Sequence, residues 1–171
     1  MLATRLMPCL LMSNGALVKT VRFKDLTYVG DPSNAVRIFN QKEVDELILL
    51  DIHATSQSRG IDFETIEKLV SECFMPICYG GGVYSLEQMR RLFALGVEKI
   101  SLGAAAFEQP DLIRRAADEF GAQAVVVTLD VKRNMFGRGS VRIRNGTVDT
   151  KKSPVDVARR VVAEGAGELL L

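Results

Sequence analysis

Short runs of apolar, mostly β-branched residues alternate along this chain with amphipathic stretches, the pattern of repeated βα units around a parallel sheet. The strand candidates are Leu6 to Leu11, Leu47 to Ile52, Met75 to Tyr79, Lys99 to Leu102, Ala124 to Val131 and Glu168 to Leu171. The helical stretches between them carry start and stop signals. Asp31-Pro32 and Ser153-Pro154 each place a capping side chain before a proline, Ser85-Leu-Glu-Gln88 has the form of a capping box, and Gly96, Gly121 and Gly165 fall where helices should end. Two insertions break the rhythm, Met12 to Gly30 and Asn134 to Lys152, and Asn145-Gly146 in the second predicts a hairpin turn.

Six such strands, with long loops after the first and fifth, predict a (β/α)8 TIM barrel, a fold whose eight units need about 250 residues. At 171 residues the chain holds only about the first six strands, so 1–171 reads as one incomplete barrel domain truncated at strand 6. Such a piece alone should expose unpaired strand edges and fold poorly. The alternative is an open doubly wound sheet complete at this length.

Composition narrows the function class. Hydrophobic residues make up 47% and charged residues 25%, and 22 basic against 21 acidic residues leave a formal charge of +1. That balance gives no general electrostatic reason to expect nucleic acid or an anionic membrane as partner. Cys9, Cys73 and Cys78 form no C-x-x-C motif and read as reduced cytosolic thiols. With no apolar signal core after Met1 and no run long enough to span a bilayer, a cytoplasmic protein is expected.

Barrel enzymes place their chemistry at the carboxyl ends of the strands. In order those ends offer Cys9 and Leu11, Asp51 and His53, Gly80-Gly81-Gly82, Ser101 with Gly103, and Thr128 with Asp130, and Lys19 and Lys132 lie just beyond two of them. Asp130 and Lys19 are the candidate catalytic residues. The glycine triplet, followed by the capped helix start at Ser85, is either a phosphate cradle or a tight βα turn. Asp51 and Asp130 end apolar strands, where an ionised carboxylate is costly unless paired, so each is either hydrogen-bonded to its surroundings or poised to act on a ligand. His53, the sole histidine, is a conceivable general base or an inert loop residue. No metal cluster and no cofactor is predicted.

Two strand-plus-loop segments look alike: Arg5 to Leu11 followed by Asn14, Gly15 and Lys19, and Val125 to Asp130 followed by Lys132, Arg133 and Gly137. The second ends in an acid and the first in Leu11, as though a two-acid site had lost one acid.

Several stretches together resemble the cyclase subunit of imidazole glycerol phosphate synthase, the HisF family: Met1-Leu-Ala-x-Arg-x-x-Pro-Cys-Leu10, Gly30-Asp-Pro32, Asp45-Glu-Leu-x-x-Leu-Asp-Ile52, Gly80 to Gly82, Gln123-Ala-Val-Val-Val-x-x-Asp130 with Lys132-Arg133, and Gly165-Ala-Gly-Glu-x-Leu-Leu171. The resemblance spans the whole chain. It implies a (β/α)8 barrel that docks a HisH-type glutaminase on its bottom face as a heterodimer and passes ammonia through the barrel to a phosphorylated ribonucleotide. It also implies an ammonia gate of alternating charges, matched here by Arg5, Glu46, Lys99 and Glu168, and substrate- or phosphate-binding positions matched by Gly80, Gly81, Gly82, Gly103 and Asp51.

At the top face the sequence departs from the family pattern. The family carries an aspartate where Leu11 stands, an Asn-Thr pair where Gly103-Ala104 stand, and Asp-Ile-Thr-Ala-Ser where Asp51-Ile-His-Ala-Thr55 stand. Leucine cannot exchange a proton, and a positioned acid or base is worth about 10² to 10⁴ in rate. The expectation is a divergent paralogue that keeps the glutaminase-coupled conduit and serves another acceptor, such as a sugar amidinated with a separate amidotransferase in surface-polysaccharide (lipopolysaccharide) biosynthesis. The alternatives are an authentic cyclase subunit of histidine biosynthesis and a non-catalytic scaffold or activator of a glutaminase.

Overall fold

A computed structural model of the chain describes residues 4–21, 24–55, 57, 59–109, 111–133, 135 and 137–171. Strand β1 (Cys9–Ser13) turns into a hairpin of β2 (Ala16–Val21) and β3 (Lys24–Gly30). There follow α1 (Pro32–Gln41), β4 (Leu47–Asp51), α2 (Phe63–Glu72), β5 (Ile77–Gly80), α3 (Leu86–Ala94), β6 (Lys99–Leu102), the single turn α4 (Ala105–Glu108), α5 (Leu112–Phe120) and β7 (Val125–Thr128). A small meander, β8 (Asp130–Arg133), β9 (Gly139–Ile143) and β10 (Val148–Asp149), precedes α6 (Pro154–Ala163) and β11 (Glu168–Leu170).

The main sheet runs in the order β11-β7-β6-β5-β4-β1-β2-β3. Its pairings from β11 to β1 are all parallel, while β2 and β3 extend it antiparallel beyond β1. The α/β fold is thus a curled parallel sheet of half-barrel form, as strands separated by helices require. The meander β8–β10 forms a second sheet.

Side-chain alternation divides the parallel strands between two apolar clusters. Leu47, Leu49, Tyr79, Ile100, Val125 and Val127 pack with Ile66, Leu69, Met89, Leu92, Ile113 and Val161 of the helices. On the opposite face Ile48, Cys78 and Val126 form a smaller cluster with Met7, Leu50 and Leu170.

Local chemistry explains most element boundaries. Asp31 caps α1 by accepting from the N–H groups of Ser33 (2.8 Å) and Asn34 (3.3 Å), and Ser85 with Gln88 forms the predicted capping box. Ser153 differs from expectation, since its side chain makes no capping bond. Gly96, Gly121 and Gly165 all take positive φ at helix ends. Two strands begin later than the hydrophobic runs suggest, at Cys9 and Ile77, because Pro8 and Pro76 offer carbonyls to Ile48 and Leu47 (both 2.9 Å) but have no N–H to give. The run from Ala124 to Val131 is split. Leu129 donates to the Leu170 carbonyl (2.8 Å), and the chain then crosses to the second sheet at Asp130. Asn145-Gly146 lies in the β9–β10 turn, as predicted. The first three residues of the motif that begins at Met1, and Arg22, Phe23, Asn134 and Phe136 of the two insertions, lie outside the described residues. No helix among the described residues is long and apolar enough to cross a membrane.

Candidate functional site

At the amino ends of the parallel strands, four charges close into a ring. Lys99 and Glu168 open β6 and β11, Glu46 stands immediately before β4, and Arg5 precedes β1. Lys99 Nζ donates to Glu46 Oε2 (2.6 Å) and Glu168 Oε1 (2.9 Å), while Arg5 reaches the same two oxygens at 3.4 and 3.0 Å. Burial pulls the Lys99 pKa down, but its hydrogen bonds to Glu46 and Glu168 outweigh that and hold it above the ordinary lysine value. Burial pushes Glu168 up, and the bonds from Lys99 and Arg5 more than reverse it, leaving its pKa lowered. The four predicted gate residues are therefore brought together.

Above the ring the same face of the sheet turns apolar. Cys78, in register with Lys99, sits with Ile48 and Val126. Burial, and then the Glu46 charge, push its thiol up to about 12, so this layer carries no charge at neutral pH. Next comes a hydrogen-bonded hydroxyl pair, Ser101 and Thr128.

Beyond that pair, at the carboxyl ends, lies a cavity of about 160 Å³. Leu11, Asp51, the glycines 80, 81 and 82, Gly103 and Asp130 all line it. Leu11 lies within β1, level with Leu50, rather than ending its strand, and Asp130 opens β8 rather than closing the barrel strand. The two are nonetheless walls of one cavity. Burial raises the Asp130 pKa above the ordinary carboxylate value, and among the described residues no hydrogen bond or ion pair holds its carboxylate. A partly buried, uncompensated carboxyl in a cavity is the form expected of a proton-transfer group.

Asp51 has the opposite character. Its Oδ1 accepts from the backbone N–H groups of His53 and Ala54 (both 3.0 Å) and from Arg59 Nη2 (3.4 Å), so its charge organises the loop after β4. The glycine triplet has a packing reason at each position. A Cβ on Gly80 would lie 2.7 Å from Leu50 Cδ2, one on Gly81 would run into the Asp51 carbonyl, and one on Gly82 would stand 3.0 Å from Ala54 Cβ. The Gly82 N–H is already taken by Thr55 Oγ1 (3.2 Å). The tight-turn reading accounts for the triplet as it stands, while its position on the cavity wall keeps it available to a ligand.

Other candidates fall away from the cavity. Lys19 is exposed on β2, paired with Thr27, and is not among the lining residues. His53 shares a 2.7 Å hydrogen bond with buried Ser13. Sequence reasoning missed Arg142 and Asn145, which the second insertion swings over the cavity, and Tyr84, whose hydroxyl donates to Glu108 (3.1 Å). Asn145 donates to the Ile52 carbonyl at 2.7 Å. Asn145-Gly146 predicted a hairpin turn in the insertion, but nothing in it announced where the hairpin would fold. Among the described residues no group of histidine, cysteine and acidic side chains has the grouping to hold a metal ion.

Residues 5–171 match the family described as Histidine biosynthesis protein. The chain belongs to that family. A Pseudomonas aeruginosa protein provisionally named imidazole glycerol phosphate synthase subunit hisF2 is 51% identical over 171 residues, covering 100% of this chain and 68% of the relative. A Vibrio vulnificus protein provisionally named subunit hisF3 of the same synthase is 47% identical over 172 residues, 100% of this chain and 66% of its own length. In Caulobacter vibrioides, imidazole glycerol phosphate synthase subunit HisF is 44% identical over 172 residues, 100% of this chain and 66% of that protein. The chain thus spans about two thirds of the length of these members of the family.

Proposed function

We propose that this chain forms the first six strands of a (β/α)8 barrel that receives ammonia from a HisH-type glutaminase and delivers it to a phosphorylated or sugar acceptor at the carboxyl-end cavity. The remaining strands belong to the third of the relatives' length that this chain does not span. The observation that carries the reading is the vertical order on one sheet face: a closed ring of Arg5, Glu46, Lys99 and Glu168, an uncharged layer at Ile48, Cys78 and Val126, and a cavity lined by the Asp130 carboxyl, which has no partner among the described residues. Ring charges exchange partners to admit a small molecule. An apolar layer passes neutral ammonia and rejects ammonium, whose charge would be stripped of water there. At the far end Asp130 takes the proton that nitrogen sheds as it bonds to the acceptor, aided by a pKa that burial has raised.

Leu11 sets the choice of acceptor. It lines the same cavity as Asp130 with no group able to exchange a proton, so one-acid chemistry such as amidination fits better than a cyclisation needing two. This favours a paralogue serving sugar modification in surface-polysaccharide biosynthesis, working with a separate amidotransferase. The second reading, an authentic histidine-pathway cyclase subunit, is favoured by the 44% identity to the Caulobacter HisF subunit.

The test uses the full-length protein with its glutaminase. The proposal expects complex formation and stimulated glutamine hydrolysis, with little turnover of the imidazole glycerol phosphate precursor. The absence of both binding and stimulation sinks the conduit. Ready cyclase turnover transfers the chain to the histidine pathway, and stimulation indifferent to any cavity ligand leaves it a glutaminase scaffold.

A further inference from the structure

Between positions 131 and 152 stand seven lysines and arginines against one acid, Asp149, a net of +6 in a chain whose total is +1. The meander β8–β10 gathers these charges onto one small sheet, and beside it opens a cleft of about 1120 Å³. Lys24 from β3 and Lys132, Arg133, Arg142 and Arg144 line the cleft, with Asp130 at its inner wall. Arg144 is held by Glu108 through two bonds of 2.7 and 2.8 Å, and Arg142 Nη2 by Asp149 at 3.0 Å. Lys24, Lys132 and Arg133 have no ion-pair partner among the described residues. Arg142 also keeps a buried Nε with no acceptor. A buried donor left without an acceptor is destabilising, and an anionic oxygen in the cleft would offset that cost.

We propose that this cleft binds a small organic diphosphate, its adjacent phosphoryl groups held by Lys132, Arg133 and Arg142. Five cations against Asp130, Glu108 and Asp149 leave two positive charges, which a diphosphate diester neutralises. The cleft is far larger than one phosphate needs and lies just above the range of ordinary ligand pockets, about 300 to 1,000 Å³. No aromatic ring lines it among the described residues, so a single-stranded nucleic acid finds no stacking platform. The cleft shares Asp130, Arg142, Arg144 and Asn145 with the carboxyl-end cavity, so a ligand anchored by its diphosphate lays its other end beside Asp130. This deepens the acceptor reading and rests on it for the ligand's use, but not for its binding.

Calorimetric titration of the full-length protein with inorganic pyrophosphate and with inorganic phosphate tests the site. Pyrophosphate should bind at least about tenfold more tightly than phosphate, since it engages a second charged pair. The Lys132→Glu/Arg133→Glu variant should lose at least about tenfold in pyrophosphate affinity, and the milder Lys132→Gln/Arg133→Gln variant part of it. Circular dichroism confirms that both fold. Pyrophosphate binding that is absent, that is no tighter than phosphate, or that survives both variants overturns the proposal. Tighter binding of a single-stranded oligonucleotide, lost in the same variants, overturns it in favour of nucleic acid. Glutaminase stimulation by the unaltered protein is measured separately, so failure of the ammonia reading leaves the anion result intact.

Discussion

The two ends of the parallel sheet spend their charges differently. At the amino ends each of four ionised groups touches two of opposite sign, and Lys99 and Glu168 have pKa values moved outward, toward keeping their charges. At the carboxyl ends Asp130 is partly buried with no partner among the described residues, and its pKa has moved the other way. A satisfied network holds one geometry, whereas an unsatisfied group stores free energy that a ligand or a proton can release. The contrast teaches that the lower end is a satisfied network, while the upper end keeps a group that a ligand or a proton can stabilise.

The sharpest way to break the comparison is at Asp130. Asp130→Asn should lower turnover of the acceptor with free ammonia by about 10² to 10⁴, while glutaminase stimulation survives. Comparable loss from Lys99→Met with free ammonia would erase the division between the ends. Leu11→Asp, which restores a second carboxyl to the same cavity, should raise any cyclase turnover, and an unchanged rate would remove Leu11 from the argument.

Stability should divide the ring by burial. Glu46→Ala strands the largely buried Lys99 with one partner and should cost about 3 kcal/mol in denaturant unfolding. Arg5, with its side chain 45% exposed, should cost under about 1 kcal/mol as Arg5→Ala. Equal losses would mean that the ring is not graded this way. In the upper wall, Gly81→Ala forces a Cβ against the Asp51 backbone at φ 119° and should cost about 1 to 3 kcal/mol by the same measurement.

Acid should act on the two ends with opposite sign. The Glu168 pKa is lowered in the folded protein, so its contribution is complete above the ordinary value of about 4.3 and drains away as pH falls through the folded value. Lys99, raised, contributes fully below about 10.4 and loses it as pH climbs through its folded value. Asp130 is raised, so its ionised form weakens the fold at neutral pH and protonation relieves it. Thermal melts of Asp130→Asn should therefore show a small gain at neutral pH that shrinks toward about pH 3.9. A gain independent of pH would point to packing instead. The smallest effect is expected at Gly103→Asn, where no atom lies within 4 Å of the added Cβ, and stability should stay within about 0.5 kcal/mol.

The strands were legible because buried parallel strands need continuous apolar runs, whereas the ring was expected only through the resemblance to the HisF family, since a charge just before a strand is by itself usually solvated surface. Asp31, Ser85 and Gln88 announced their helix starts through side-chain chemistry that acts within four residues. What escaped was decided at long range. The split after Leu129 depends on the Leu170 carbonyl, and Arg142 enters the cavity only because the meander folds back. The turn from β1 into β2 falls at Asn14-Gly15, both at positive φ, but the antiparallel extension of the sheet on to β3 had no local pattern that records it. Asp51 stood beside Asp130 as an open possibility because the loop that hydrogen-bonds it follows its own strand without any distinctive motif.

The Asn145 amide that meets the Ile52 carbonyl joins residues 93 positions apart. Closing so long a stretch of chain yields no return until β4, β5, β6 and β7 are already paired, so this contact belongs late in folding. The roof over Asp130 is then the last part of the cavity to be assembled and the first to open when the protein loosens. Reactivity at Asp130 becomes a report on the integrity of the whole sheet beneath it.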